Sequence, residues 1–148
     1  MTRPVIFLDI DGVLAPITRW DQYGDLDPAC IQVLNEIVAR AGADVVVSST
    51  WRYGKTAPEL QETLQAQGFI GYVLDKTPTG APGANRGDEI AAWLAEHAVS
   101  SYVIIDDHVD MGELWTRLVQ THPARGLQPE DAPRAIAVLL QPAHDRPA

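Results

Sequence analysis

The chain has 148 residues, 46% of them hydrophobic and 21% charged, which is enough for one globular domain with its own core. Its formal net charge of −9 argues against broad nucleic-acid binding through a basic face, but not against action on a single phosphate beside a bound cation. A single cysteine, Cys30, excludes an internal disulfide and a cysteine-based zinc site, and no apolar run approaches the length of a membrane span.

In chain order, Val5-Ile6-Phe7-Leu8-Asp9-Ile10-Asp11-Gly12 reads as a buried strand whose carboxyl end delivers Asp9 to solvent. On a continuing strand Asp9 and Asp11 share a face, and Gly12 lets the backbone turn away. Two carboxylates so close repel each other unless a cation or a shared proton relieves them, and Mg²⁺ suits an all-oxygen site. The bland alternative is a strand that ends in an acidic Asx-type turn. Residues 15–24, with a proline and a glycine, read as a loop or short hairpin. Asp27-Pro28 starts a helix, Ile31, Leu34, Ile37 and Val38 recur on one face, and Gly42 closes it. Cys30, between Ala29 and Ile31, is expected to be a small buried hydrophobe.

Asp44-Val45-Val46-Val47 is a second buried strand, and it runs into Ser48-Ser49-Thr50-Trp51-Arg52. Ala57-Pro58-Glu59 opens a helix expected to reach about Gln67, with Gly68 as its stop. Tyr72-Val73-Leu74 is a short strand, and the Pro/Gly-rich residues 77–83 are loop. Gly87-Asp88-Glu89 starts a helix with Ile90, Trp93 and Leu94 facing in. Tyr102-Val103-Ile104-Ile105 is another buried strand, ending in Asp106-Asp107. Leu118-Val119-Gln120 reads as an edge strand. Pro129-Glu130-Asp131 starts a last helix with Ile136, Leu139 and Leu140 facing in, and Trp115 is assigned to the core. Strands alternating with helices predict an α/β three-layer sandwich with a mostly parallel, Rossmann-like sheet. Residues 1–140 are expected to form one domain and 141–148 a frayed tail. The N-terminal residues lack a signal-peptide layout, so a cytoplasmic setting is expected.

Acids therefore follow two strands and hydroxyls a third, with Lys76 and Arg86 between the second strand and the acidic pair. One parallel sheet gathers these strand ends at one edge. At this point the sequence resembles the haloacid dehalogenase (HAD) superfamily. Phe7-Leu8-Asp9-Ile10-Asp11-Gly12-Val13 matches its first motif and Val45-Val46-Val47-Ser48 its second. Arg86-Gly87-Asp88-Glu89-Ile90 stands where the family often has Lys-Gly, and Ile104-Ile105-Asp106-Asp107 matches the fourth motif. The resemblance covers residues 4–140. The stretches 47–52, 86–90 and 105–107 look like the small HAD domains associated with RNA repair proteins.

The resemblance implies a Mg²⁺-dependent phosphatase. Asp9 is then the nucleophile that forms an aspartyl-phosphate, and Asp11 the acid and base, with its carbonyl also on the metal. Ser48, or Ser49 if the strand ends one residue later, binds phosphoryl oxygens. Arg86, or Lys76 from the preceding loop, neutralises the phosphoryl group. Asp107 is the late metal ligand, supported by Asp106. An Asp two residues past the nucleophile suits a phosphatase or phosphotransferase rather than a dehalogenase or transport ATPase. A phosphotransferase or phosphomutase shares these residues, and a non-catalytic Mg²⁺- or partner-binding domain keeps the fold. A response-regulator receiver is disfavoured, because the strand at Val45 ends in hydroxyls.

Neither the gap from Asp11 to Ser48 nor that from Ser48 to Arg86 holds a folded cap, so the site is expected to be open. An open site suits a macromolecular phosphate such as a nucleic-acid end. Trp20, Trp51, Thr50, Arg52 and Lys55 lie on the loops nearest its mouth, as candidates for stacking on a base or holding a neighbouring phosphate. For each tryptophan, sealing the core edge is the competing role. His108 and Asp110 follow the acidic pair, either facing the leaving group or lying inert on the surface.

Overall fold

The structure, a computed structural model, describes residues 3–18, 25–50, 54–80 and 82–143. Trp20, Trp51 and Arg52 lie outside the described residues, and with them the roles assigned to those side chains.

In chain order the elements are β1 (Val5–Leu8), α1 (Pro28–Ala41), β2 (Asp44–Val47), α2 (Ala57–Gln65) and β3 (Val73–Lys76). They continue with α3 (Arg86–Glu96), β4 (Tyr102–Asp106), a 3-10 helix (Gly112–Arg117), β5 (Leu118–Gln120) and α4 (Asp131–Leu139). The five strands form one sheet in the order β3-β2-β1-β4-β5, and every pairing is parallel. The chain steps outward from β1 to β3, then crosses back to β4 on the other side of β1. Between β1 and β4 the strand order therefore reverses, which is where open α/β sheets bind ligands.

Side-chain alternation sorts each strand between two layers. Ile6, Leu8 and Ile10, with Val45, Val47, Val103 and Ile105, pack beneath α1, α2 and α4. Val5, Phe7, Val46, Tyr102 and Ile104 pack beneath α3, against Ile90 and Trp93. Phe7 meets Trp93 and Tyr102 edge-on, with ring centroids 5.4 and 5.7 Å apart.

Local chemistry explains the boundaries. Asp27 caps α1 by accepting from Ala29 N, and Gly42, at φ 66°, ends it. Thr56 and Glu59 form a capping box on α2, as Asn85 and Asp88 do on α3. The Gln61 amide bonds the Gly71 carbonyl and the Val73 amide, so it acts as a one-residue neighbour to edge strand β3. Cys30 is buried as expected, and burial, with Asp27 nearby, pushes its thiol up to about 11, leaving it protonated.

Several expectations need correction. α2 ends at Gln65 rather than near Gln67, because Gln67 and Gly68 are drawn into tight i→i−3 turns. The third strand is Val73–Lys76, displaced from 72–74, with a bulge opposite Val45 and Val46. The last helix begins at Asp131 rather than Pro129. Leu140 is 80% exposed, since it lies past the last helical turn. Trp115 is 67% exposed, because the 3-10 helix buries Arg117 and leaves Trp115 on its outer side.

The expected frayed tail is held at its start. Arg117 donates to the carbonyls of Gln141 and Pro142, and Ala143 N bonds the Ser100 carbonyl. Among the described residues, no helix is long and apolar enough to cross a membrane.

Candidate active site

The alternation that builds the two layers also aims the polar residues at the strand ends. Val5, Phe7 and then Asp9 point towards α3, and so do Tyr102, Ile104 and then Asp106. On β2 the same alternation carries Ser48 to the side of Val46, and Ser49 to the other. Ser48 continues the ladder through its amide to the Leu8 carbonyl at 2.9 Å. Both serines are fully buried, and Thr50 is exposed.

α3 begins at this edge and brings Arg86 onto it. Arg86 Nη1 lies 3.4 Å from Asp9 Oδ1 and 3.3 Å from Asp106 Oδ2, and it donates to the Ser48 carbonyl. One guanidinium thus joins the ends of β1, β2 and β4. Gly87 makes this approach possible. Its amide donates to the Asp110 carbonyl, and a Cβ there would collide with the Met111 backbone. Lys76, the other candidate cation, donates from Nζ to the Lys55 carbonyl at 2.7 Å. The cation brought to Asp9 and Asp106 is Arg86.

β1 does not continue through Asp11. After Leu8 the amides of Val13, Leu14 and Ala15 all turn back to the Ile10 carbonyl, so Asp11 sits half-buried in a tight loop. Asp9 and Asp11 therefore lie past the end of β1 and do not share a strand face, contrary to expectation. Thr121, just past β5, fixes the loop by donating from Oγ1 to the Gly12 carbonyl at 2.7 Å. Gly12 has φ 81°, and a Cβ on it would stand 2.5 Å from Asp107 Oδ2. Only glycine lets the loop close over that carboxylate. No motif marked Thr121, whose role depends on β5 lying beside β4.

The acids are crowded and under-neutralised. Asp9, Asp106, Asp107 and His108 each offer one donor atom, all within 4.8 Å of one another. Asp106 is fully buried, and the Asp107 side chain is only 9% exposed. Asp106 Oδ2 and Asp107 Oδ1 are buried and receive no hydrogen bond. Burial, with the Asp106 carboxylate beside it, raises Asp9 from 3.8 to about 8, against the opposing pull of Arg86. Burial also raises Asp106, and Arg86 works against it. Arg86 is raised as well, which for a base favours the charged form. Burial disfavours its charge, but Asp106 and Asp9 outweigh that and hold it cationic.

This donor set fits a hard divalent cation. It offers carboxylate oxygens, two of them lacking a donor, and a nucleophile candidate that needs positive charge to stay ionised at neutral pH. Asp11 contributes no carboxylate atom to this cluster, which leaves its backbone carbonyl as the expected route to a metal. His108, with its side chain 63% exposed, lies beside Asp107, while Asp110 is not among these donors and its carbonyl accepts from the Gly87 amide.

Residues 5–132 match the model of a family described as the HAD domain in Swiss Army Knife RNA repair proteins. No curated protein and no solved structure gives a significant match to the chain.

Proposed function

The chain belongs to the HAD domains of Swiss Army Knife RNA repair proteins, and from that premise we propose that it is a Mg²⁺-dependent phosphomonoesterase working through a phosphorylated Asp9. The observation that carries this reading is the convergence of Asp9, Asp106 and the Ser48 carbonyl on the single guanidinium of Arg86.

Asp9, Asp106 and Asp107, with the Asp11 carbonyl, are the groups that would hold Mg²⁺. When bound, it supplies the charge that keeps Asp9 ionised and lets a carboxylate approach a phosphate dianion. In the first step Asp9 forms a bond to phosphorus as the bond to the leaving alkoxide breaks. Asp11 gives that alkoxide its proton. In the second step Asp11 takes a proton from water, which attacks the acyl phosphate, releasing inorganic phosphate and freeing Asp9. Arg86 and the Ser48 hydroxyl hold the phosphoryl oxygens through both steps.

The substrate proposed is a nucleic-acid end. Among the described residues, the segments between β1 and β2 and between β2 and β3 each hold a single helix, which supports reading the site as uncapped. An uncapped site admits a polymer terminus, and the family description, which speaks of RNA repair, supports that choice. Binding then depends on the terminal phosphate rather than a basic groove, as the net charge of −9 requires.

The test is phosphate release from an aryl phosphate and from a short RNA bearing a terminal phosphate, with Mg²⁺ and with chelator. Release should need Mg²⁺ and fall by about a thousandfold or more in Asp9→Asn. An Asp9→Asn protein that hydrolyses either substrate as fast as wild type refutes the assignment.

A further inference from the structure

We propose that Thr121 is a positioning residue for Asp11, aiming its carboxyl at the leaving group, so that the Thr121 hydroxyl matters for alkyl phosphates and hardly at all for aryl phosphates. The inference rests on the phosphomonoesterase reading above and adds to it a residue outside the strand ends that carry the acids.

The loop that bears Asp11 belongs to no strand. β1 ends at Leu8, and residues 10–15 close on themselves through the Ile10 carbonyl and a bond from Gly12 N to the Ala15 carbonyl. These bonds give the loop its shape but not its place beside the other acids. Its place comes from the segment after β5. Thr121 Oγ1 donates to the Gly12 carbonyl at 2.7 Å, Leu127 N to the Val13 carbonyl at 2.8 Å, and Ile17 N to the Pro123 carbonyl at 2.8 Å. Of these three bonds the first alone uses a side chain, and it falls on the residue next to Asp11.

Thr121 is itself anchored to the acids. Its amide donates to the Asp106 carbonyl at 3.0 Å, extending the pairing of β5 with β4. One residue therefore holds the strand of the late acids with its amide and the Asp11 loop with its hydroxyl. Thr121 is 3% exposed and Gly12 is buried, so a Gly12 carbonyl that loses this donor cannot reach water unless the loop moves. Such a movement re-aims Asp11, and a displacement of about 1 Å can cost about a hundredfold in rate. Asp9 is held separately, by its amide on the Ile105 carbonyl and by Arg86.

That separation gives the role a chemical signature. A nitrophenolate leaves as a stable anion and needs no proton. The alkoxide of a ribose takes a proton from Asp11 as its bond to phosphorus breaks. Thr121→Val keeps the branched shape and the main-chain bond to Asp106 but removes the hydroxyl, and Thr121→Ser restores it. Both are compared with wild type by kcat/KM, with Mg²⁺, on nitrophenyl phosphate and on a short RNA bearing a terminal phosphate. This parameter reads only as far as the first phosphoryl transfer, so the later role of Asp11 as a base does not enter.

Thr121→Val should lose about thirtyfold or more on the RNA and less than about threefold on the aryl phosphate, with Thr121→Ser near wild type on both. In an Asp11→Asn background Thr121→Val should bring no further loss on the RNA. Equal losses on the two substrates, or a full further loss in that background, overturn the proposal. Amide hydrogen exchange of the whole metal-free chain tests the clamp without turnover. In Thr121→Val the amides of residues 12–15 should exchange about tenfold faster, with those of α1 and β2 unchanged. Unchanged exchange at 12–15, or an equal rise throughout the chain, overturns the positioning role. A wild-type chain that releases no phosphate refutes the phosphomonoesterase reading instead, and the exchange result still decides whether Thr121 holds the loop.

Discussion

Two buried charged centres sit at opposite ends of the same sheet, and they are built on opposite principles. Arg117 is 5% exposed and has no ion pair among the described residues. It donates instead to the Ser101 hydroxyl and to the carbonyls of Tyr102, Val138, Gln141 and Pro142, with its guanidinium 5.0 Å from the Tyr102 ring centroid. These carbonyls include groups at the C-terminal end of α4, where a helix welcomes positive charge. That centre is complete without any ligand, and it ties β4, the 3-10 helix and α4 together. At the other end, Asp9 and Asp106 share one guanidinium with Asp107 packed beside them, and Asp106 Oδ2 and Asp107 Oδ1 are buried without a hydrogen bond. A buried charge satisfied by fixed dipoles serves the fold, whereas charges left in excess mark a place where something else must bind.

Removing Arg86, the cation that pairs with both Asp9 and Asp106, should have the largest effect. Arg86→Ala leaves the acids uncompensated, and phosphate release should fall by about a hundred- to a thousandfold, with Arg86→Lys recovering part of the loss in steady-state assays. Arg117→Met should break the other centre with the reverse signature. Stranding its carbonyls should cost about 3–5 kcal/mol in denaturant unfolding, while kcat of the protein that remains folded stays near wild type.

Gly12→Ala should act on both fold and site, because a methyl group at φ 81° would push against Asp107. Calorimetric titration should show Mg²⁺ binding weakened by about tenfold, with a stability loss of about 1–2 kcal/mol.

The last effect is a pH slope. In the folded, metal-free chain Asp9 keeps its proton up to about 8, whereas its ordinary value is 3.8. Between those values the folded state binds more protons than the unfolded state, so stability falls as pH rises across that window. Asp106 shifts in the same direction. Melting temperature in chelator should therefore decline from about pH 4 to about pH 8, and Mg²⁺ should flatten the decline. Arg117→Met should leave that slope unchanged.

The fold was legible in the sequence because its signals are local. Continuous apolar runs named the strands, and Asp27-Pro28, Gly42 and Ala57-Pro58 marked helix ends by their backbone chemistry. The placement of the candidate site was legible for the same reason, since Asp9, Ser48, Arg86, Asp106 and Asp107 each adjoin a strand or helix end. What escaped depends on tertiary neighbours. Choosing Arg86 over Lys76 required knowing that β4 lies beside β1, while β3 lies at the edge. That Ser48 rather than Ser49 lies on the face of Val46 depends on the parity of β2. Trp115 looked like core because large aromatics usually are, but a short 3-10 helix lacks the periodicity that would show its outer side. Arg117 and Thr121 gave no signal, since their partners are backbone carbonyls supplied by distant segments.

The most direct measurement of the central claim is the mass of the protein acid-quenched during turnover of a phosphate ester. The expected result is a fraction heavier by one phosphoryl group, labile to hydroxylamine, mapped to the peptide bearing Asp9 and absent in Asp9→Asn. Phosphate release with no such adduct at Asp9, or with the adduct on another residue, would contradict it.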